Sequence, residues 1–275
     1  MKKNNFLKDK NVIFIGTSVM LEKCIEFSSK KFKNIYVITD DKKIIKKFKN
    51  KVTPLAINEF AKFKYDYLFS ILNYKIIPTK LINSIKQISL NFHDGPLPKY
   101  AGLFSSTWAI ANGEKTYGVT WHKITKKIDA GDIAINKKFN IKNDDTSYNL
   151  DIRSIIIGIN LFKILIKKIN KNNFSIKKQI LKNRTYYGKT DIKDLIKKYN
   201  LDIENRTLTR ALTLSPQKSR LLKKITGKKI NIFKKKIIFK KTHSKNSTNI
   251  DLLKLINFLG KVINFKFNVK KINNN

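Results

Sequence analysis

Short apolar runs closed by polar or glycine-bearing turns alternate with stretches of helical period over most of residues 11–170. Asn11–Gly16 (NVIFIG) is followed by Thr17-Ser18 and the amphipathic stretch VMLEKCIEFSSKKF, which predicts strand, turn and helix. Asn34–Thr39 predicts a second strand, stopped by Asp40-Asp41, with a short basic helix over Lys42–Lys49. Tyr65–Leu72 (YDYLFSIL) predicts a buried strand, and Pro78 opens the helix TKLINSIK after it. Ile88–His93 predicts another strand, and Gly118–Ile124 with Asp132–Ile141 a hairpin. Asp144–Asn170 is the longest helical stretch, with Thr146 or Ser147 as its N-cap. Buried-type strands alternating with helices imply an α/β fold, a Rossmann-like, doubly wound, mostly parallel sheet. The first turn, GTSVML, is not GxGxxG, so neither NAD nor FAD is expected.

Beyond Asn170 the pattern weakens. Lys171–Lys182 reads as a polar connection and Thr190–Tyr199 as a helix. Lys228–Lys240 and Val262–Ile272 read as exposed strands of a small, β-rich, OB-like module. The expected division is a catalytic domain over residues 1–187, then a linker and a basic C-terminal module over residues 188–275.

Composition alters this picture little. With 41% hydrophobic and 11% aromatic residues the chain is globular, despite a net charge of +40. Only five of its 59 basic residues are arginine, whereas a surface built for bidentate phosphate recognition favours arginine. The joint excess of Lys, Asn, Ile and Phe therefore reads as compositional drift, with non-specific attraction to RNA as a by-product. One cysteine, Cys24, leaves no internal disulfide framework and fits a reducing compartment. The apolar run Val12–Ile15 is too short for a signal peptide, and Ile155–Ile166 is broken by Gly158, Asn160 and Lys163. A cytoplasmic protein with no membrane partner is expected.

Special residues gather in Asn91–Asp132, which holds both tryptophans, two of three histidines and five of ten glycines. Asn91 and His93, spaced i, i+2 at the end of a parallel strand, share one side of it. The carboxyl ends of such strands are where α/β sheets bind ligands. Asp94-Gly95-Pro96-Leu97 then breaks the strand, and Ile128–Asp132 is a second, carboxylate-bearing turn after a neighbouring strand. Amide, imidazole and carboxylate together suit acyl transfer to an amine. Asn91 and His93 would face the oxyanion, and His93 would shuttle the proton, with Asp129 orienting its ring or taking the proton through water. No serine or cysteine has a comparable setting, which favours direct transfer. From residues alone, a capped strand end and an ordinary turn stay open as readings. His122, behind Trp121 in a strand, reads as a packed or surface histidine, His243 as a loop residue, and Asp132 as a support of the turn. No cluster has metal-ligand spacing.

The run NFHDGPLPKYAG, then Trp108, Gly113-Glu114, GVTWH and IDAGDI, resembles the folate-dependent formyltransferases. The resemblance implies catalytic roles for Asn91, His93 and Asp129, with 10-formyltetrahydrofolate as co-substrate. It implies a pterin pocket built from Asn73, Tyr74, Lys75, Ile76 and Ile77 together with Thr125, Lys126, Lys127 and Ile128. The loop HDGPLPKYAG, with TWHKIT and the start Ile15–Glu26, is similar to formylation domains of nonribosomal peptide and polyketide assembly lines. The acceptor so implied is the amine of an aminoacyl group on a carrier protein. Initiator methionyl-tRNA is the alternative, suited to the basic C-terminal half. A formyltetrahydrofolate hydrolase and a non-catalytic, basic RNA-binding relic are weaker ones. TYYGK and RALTLSP resemble the family's linker and the start of its C-terminal module, while the usual Pro-Gly-Thr signature is missing.

Overall fold

The computed structural model describes residues 6–201 and 205–227. Its centre is a seven-stranded sheet of β1 (Asn11–Gly16), β2 (Asn34–Ile38), β3 (Thr53–Pro54), β4 (Tyr67–Ile71), β5 (Ile88–His93), β7 (Thr116–Lys123) and β8 (Ile133–Asn140). The spatial order is β3-β2-β1-β4-β5-β7-β8. The first five strands run parallel, and β7 and β8 add an antiparallel hairpin at the β5 edge.

Each central strand splits its side chains between two cores, as a period of two requires. Val12 and Phe14 of β1, Ile35 and Val37 of β2, and Tyr67, Phe69 and Ile71 of β4 face one core. Helices α1 (Ser18–Ser28), α2 (Lys42–Lys47) and α5 (Ser147–Asn170) cover that face through residues such as Met20, Ile44 and Phe162. Ile13, Ile15, Tyr36 and Leu68 face the other core, against Leu81 of α3 (Thr79–Ser84). Strands buried on both faces must be apolar throughout, which is why they appear in the sequence as unbroken runs. The long helix α5 begins where its chemistry dictates: the Thr146 hydroxyl accepts from Asn149 N, and the Asn149 side chain accepts from Thr146 N in return.

A third core lies beside the sheet and was not legible in the periodicity. Tyr100, Phe104, Trp108 and Ile110, the last two in α4 (Ser105–Ala111), pack with Ile192, Leu195, Ala211, Leu212 and Leu222. These come from α6 (Lys189–Leu201), α7 (Arg206–Leu212) and α8 (Pro216–Thr226). The segment Thr185–Tyr187 is also tied to the loop after β5. Strand β9 (Tyr186–Tyr187) pairs in parallel with β6 (Ala101–Gly102), and Thr185 Oγ1 accepts from Tyr100 N at 2.8 Å. All of these described residues lie in one compact unit. The β-rich module expected over Lys228–Lys240 and Val262–Ile272 lies outside the described residues. Among the described residues, no helix is long and apolar enough to cross a membrane.

Candidate active site

The site begins with the alternation of two neighbouring strands. Leu90 and Phe92 of β5 and Val119 and Trp121 of β7 point into the first core. Asn91, His93, Thr120 and His122 therefore share the opposite face. Register does the rest, because Asn91 pairs with His122 and His93 with Thr120 across the antiparallel ladder. Asn91 Nδ2 lies 3.2 Å from His122 Nε2. His122, which the sequence reads as a packed or surface histidine, is thus part of the polar cluster. Its parity with Trp121 was the available signal, since a core tryptophan sends the next side chain to the other face.

Asp129 arrives from the turn after β7. Lys123 N donates to Asp132 O at 2.8 Å, closing the turn, and Asp132 Oδ1 accepts from Gln179 N at 3.0 Å, which supports it as the sequence suggests. The Gln179 side chain donates to Gly131 O at 2.6 Å and to Asp129 O at 3.3 Å. Gly131 is required by close approach, because a Cβ there would sit 1.8 Å from Lys123 O. Asp129 itself takes the left-handed conformation, φ 51°.

This turn drops the Asp129 carboxylate between the two imidazoles. Oδ2 lies 3.3 Å from His93 Nδ1 and accepts from Gly102 N at 2.8 Å, and Oδ1 lies 3.3 Å from His122 Nε2. The side chain is only 10% exposed. Burial alone would raise its pKa, but His93, His122 and the Gly102 N–H outweigh that and hold it well below the ordinary carboxylate value. A carboxylate whose pKa is held low is thereby buried between two imidazoles.

His93 is held on both nitrogens. Nε2 lies 2.8 Å from Tyr100 O and 3.5 Å from Ser105 Oγ. The carbonyl can only accept, so this contact places a hydrogen on Nε2. Gly95 lets the chain pass close over the ring, since a Cβ there would meet His93 Nε2 at 2.5 Å. On His122, Nδ1 lies 2.9 Å from Lys123 O, which likewise fixes a hydrogen on Nδ1. Nε2 of the neutral ring then accepts from Asn91, and in the charged ring it donates to Asp129.

The two loops read as a pterin pocket are the connections after β4 and β7. Asn73 closes the first on itself, Oδ1 accepting from Lys75 N at 3.1 Å and Nδ2 donating to Lys75 O at 2.8 Å. Lys75 pairs with Asp40, while Ile76 is 92% exposed. The ring of Tyr74 is partly exposed, but its hydroxyl is buried and held up in pKa by that burial, near the charges of Lys218, Asp94 and Asp151. In the second loop Thr125 Oγ1 donates to Lys127 O at 2.9 Å, and Ile128 is exposed. Ile77 and Ile124 pack against the same apolar cluster, so the loops share a base. A cavity of about 330 Å³ is lined by Thr79, Ile82 and Asn83 of α3 and by Ile124, Thr125 and Lys126; of the predicted pocket residues only Thr125 and Lys126 reach its wall. Among the described residues, no group of three or more His, Cys, Asp or Glu is arranged to hold a metal ion.

Residues 44–155, which include Asn91, His93, His122 and Asp129, match the profile of the formyl transferase family. The bifunctional polymyxin resistance protein ArnA of Wigglesworthia glossinidia brevipalpis is 35% identical over 193 residues, 66% of this chain and 28% of that one. The methionyl-tRNA formyltransferase of Lactobacillus johnsonii is 30% identical over 187 residues, 67% of this chain and 58% of that one. The chain thus spans less than two thirds of the length of either relative. The solved structure of WlaRD, a sugar 3N-formyl transferase in the presence of dTDP and 5-N-formyl-THF, superposes with a TM-score of 0.62 at 26% identity. That likeness covers 76% of this chain and 80% of the other. Fold and sequence thus agree that residues 44–155 form a formyl transferase domain, similar to those of folate-dependent formyltransferases.

Proposed function

We propose that this chain transfers the formyl group of 10-formyltetrahydrofolate directly to a primary amine. The observation that carries the reading is the buried Asp129 carboxylate set between His93 and His122, with the Asn91 amide on the same face. The amine attacks the formyl carbon, a C–N bond forms, and the carbonyl electrons move to oxygen. Asn91 Nδ2 has a second hydrogen, not used on His122, to offer that oxyanion. The ammonium proton passes to an imidazole, and the bond from carbon to the folate nitrogen breaks as that nitrogen takes a proton back. Asp129 stays ionised throughout and stabilises whichever imidazolium forms. Delivery by His93 requires its Nε2 to exchange the Tyr100 carbonyl for the reactants. The loops Asn73–Ile77 and Thr125–Ile128 hold the folate through Tyr74, Ile76 and Ile128.

For the acceptor, the likeness to a sugar 3N-formyl transferase at 26% identity over four fifths of that chain supports an amino sugar carried on a nucleotide. The loop Asp94–Gly102 supports a different acceptor, an aminoacyl group on a carrier protein. Labelled 10-formyltetrahydrofolate offered with a nucleotide-linked amino sugar, an aminoacyl carrier protein and methionyl-tRNA in one tube separates them. Label on the sugar is expected; label on the carrier or the tRNA moves the acceptor assignment to that class. Free formate as the only product would make the enzyme a hydrolase.

A further inference from the structure

The segment after His93 leaves the sheet at Asp94 and runs through the short strand β6 to α4, and one distant side chain holds both of its ends. Lys218 Nζ donates to Asp94 Oδ2 at 2.8 Å, to Ser106 Oγ at 2.8 Å and to Asp151 Oδ1 at 2.7 Å. Three donors meet three acceptors, and the lysine side chain is 7% exposed. Ser106 in turn donates to Asp151 Oδ1 at 2.6 Å, and Tyr117 OH donates to Asp94 Oδ1 at 2.7 Å. α8 is started by Ser215 as N-cap and Pro216 in its first turn, which puts Lys218 in that turn as well. A cation there opposes the helix dipole. The position makes sense only with the carboxylates in front of it. Burial works to lower the ammonium pKa, but Asp151 and Asp94 hold it above the ordinary lysine value.

The gripped residues adjoin those that hold the catalytic ring. Asp94 follows His93, and Ser106 follows Ser105. The ring's Nε2 contacts are Tyr100 O and Ser105 Oγ, both between the two clamped ends, and Ser105 Oγ also donates to Tyr100 O at 2.9 Å. The distance between the loop ends therefore sets where the Tyr100 carbonyl stands relative to His93. We propose that Lys218 is a positioning residue for His93: by clamping Asp94 and Ser106 it fixes the carbonyl that orients the ring. Lys218 touches no nitrogen of His93 and acts only through the loop. For its kinetic consequence the inference rests on the formyl-transfer reading; for the state of the ring it does not.

The test uses the full chain with 15N-labelled histidine, comparing wild type with Lys218→Met and assigning His93 by difference against His93→Asn. The expected result is displaced His93 ring resonances with those of His122 in place. With it comes a fall in kcat of roughly 10- to 100-fold and an acceptor KM within about 3-fold, as expected for lost orientation. Unchanged His93 resonances with kcat within about 3-fold would overturn the proposal, since mispositioning ordinarily costs more. Removing one partner of a buried ion pair can unfold a protein. Should Lys218→Met do so, the variant that adds Asp94→Asn and Asp151→Asn leaves no charge unpaired and is read by the same two criteria. Displaced resonances in a protein whose wild type transfers no formyl group would support the clamp and overturn the function.

Discussion

Asn91 and His122 stand opposite each other across the β5–β7 ladder, with the amide Nδ2 3.2 Å from the ring Nε2. Through that contact the amide we propose as the oxyanion donor is oriented by a histidine that also touches the Asp129 carboxylate. His122→Ala is expected to lower kcat by roughly 10- to 100-fold, in the range for a positioned acid–base group or its orienter. Steady-state kinetics beside a thermal melt check this. A lowered melting temperature with unchanged kcat would return His122 to a packing role.

Asp129→Asn keeps the shape of the site and removes the charge between the imidazoles. We expect kcat to fall by about 10²–10⁴. The KM for the folate should stay within about 3-fold, because the loss is confined to transition-state stabilisation. A larger effect on KM than on kcat would assign Asp129 to folate binding instead.

Gln179 braces the Asp129 turn from the connection after α5, donating to Gly131 O and Asp129 O. Gln179→Ala leaves a buried carbonyl short of a donor, which costs about 1–3 kcal/mol. Faster amide exchange across residues 129–132 is expected, with kcat reduced along with it. Unaltered exchange would show that the turn holds itself.

Asp151 gives a pH dependence with a definite sign. Burial comes first among its influences, opposed by Lys218 and reinforced by Asp94, and its pKa is pushed up to about 6; Ser106, Tyr74, Tyr117 and Tyr148 are its other polar neighbours. One carboxylate oxygen, Oδ2, has no hydrogen-bond partner, in keeping with that shift. Below the unfolded value of roughly 4 both states hold the proton. Between there and about 6 only the folded state does, so stability falls as pH rises, by on the order of 3 kcal/mol in all, and is level above. Chemical denaturation of wild type and Asp151→Asn at pH 4 and pH 7 measures it. The wild type's stability relative to the variant should be lower at pH 7. A relative gain at pH 7 would mean that Lys218 keeps the carboxylate ionised.

How much of this was legible follows from where each signal resides. Strands buried on two faces announce themselves, because Val12 and Phe14 serve one core while Ile13 and Ile15 serve the other. The Asn91–His93–Asp129 grouping was legible through turn chemistry and resemblance. His122 is packed, in line with one of the two readings the sequence offered, but its contacts with Asn91 and Asp129 depend on register, which no local pattern encodes. Lys218 was invisible for a stronger reason. It is one of 59 basic residues, and its partners Asp151, Ser106 and Asp94 lie 67, 112 and 124 positions away. Helix α4 was overlooked because it is short and follows a loop with left-handed residues at Tyr100 and Phe104. The start of α8 was readable in Ser215-Pro216, a cap followed by a first-turn proline.

The central claim is that His93 serves formyl transfer from the folate, and single-turnover transfer of labelled formyl by wild type and His93→Ala tests it most directly. The account predicts an amine-bound product with wild type and a rate at least ~10²-fold slower in the variant, folded by the same spectroscopic criteria. A loss smaller than about 10-fold would contradict it, since a positioned acid–base group contributes more than that.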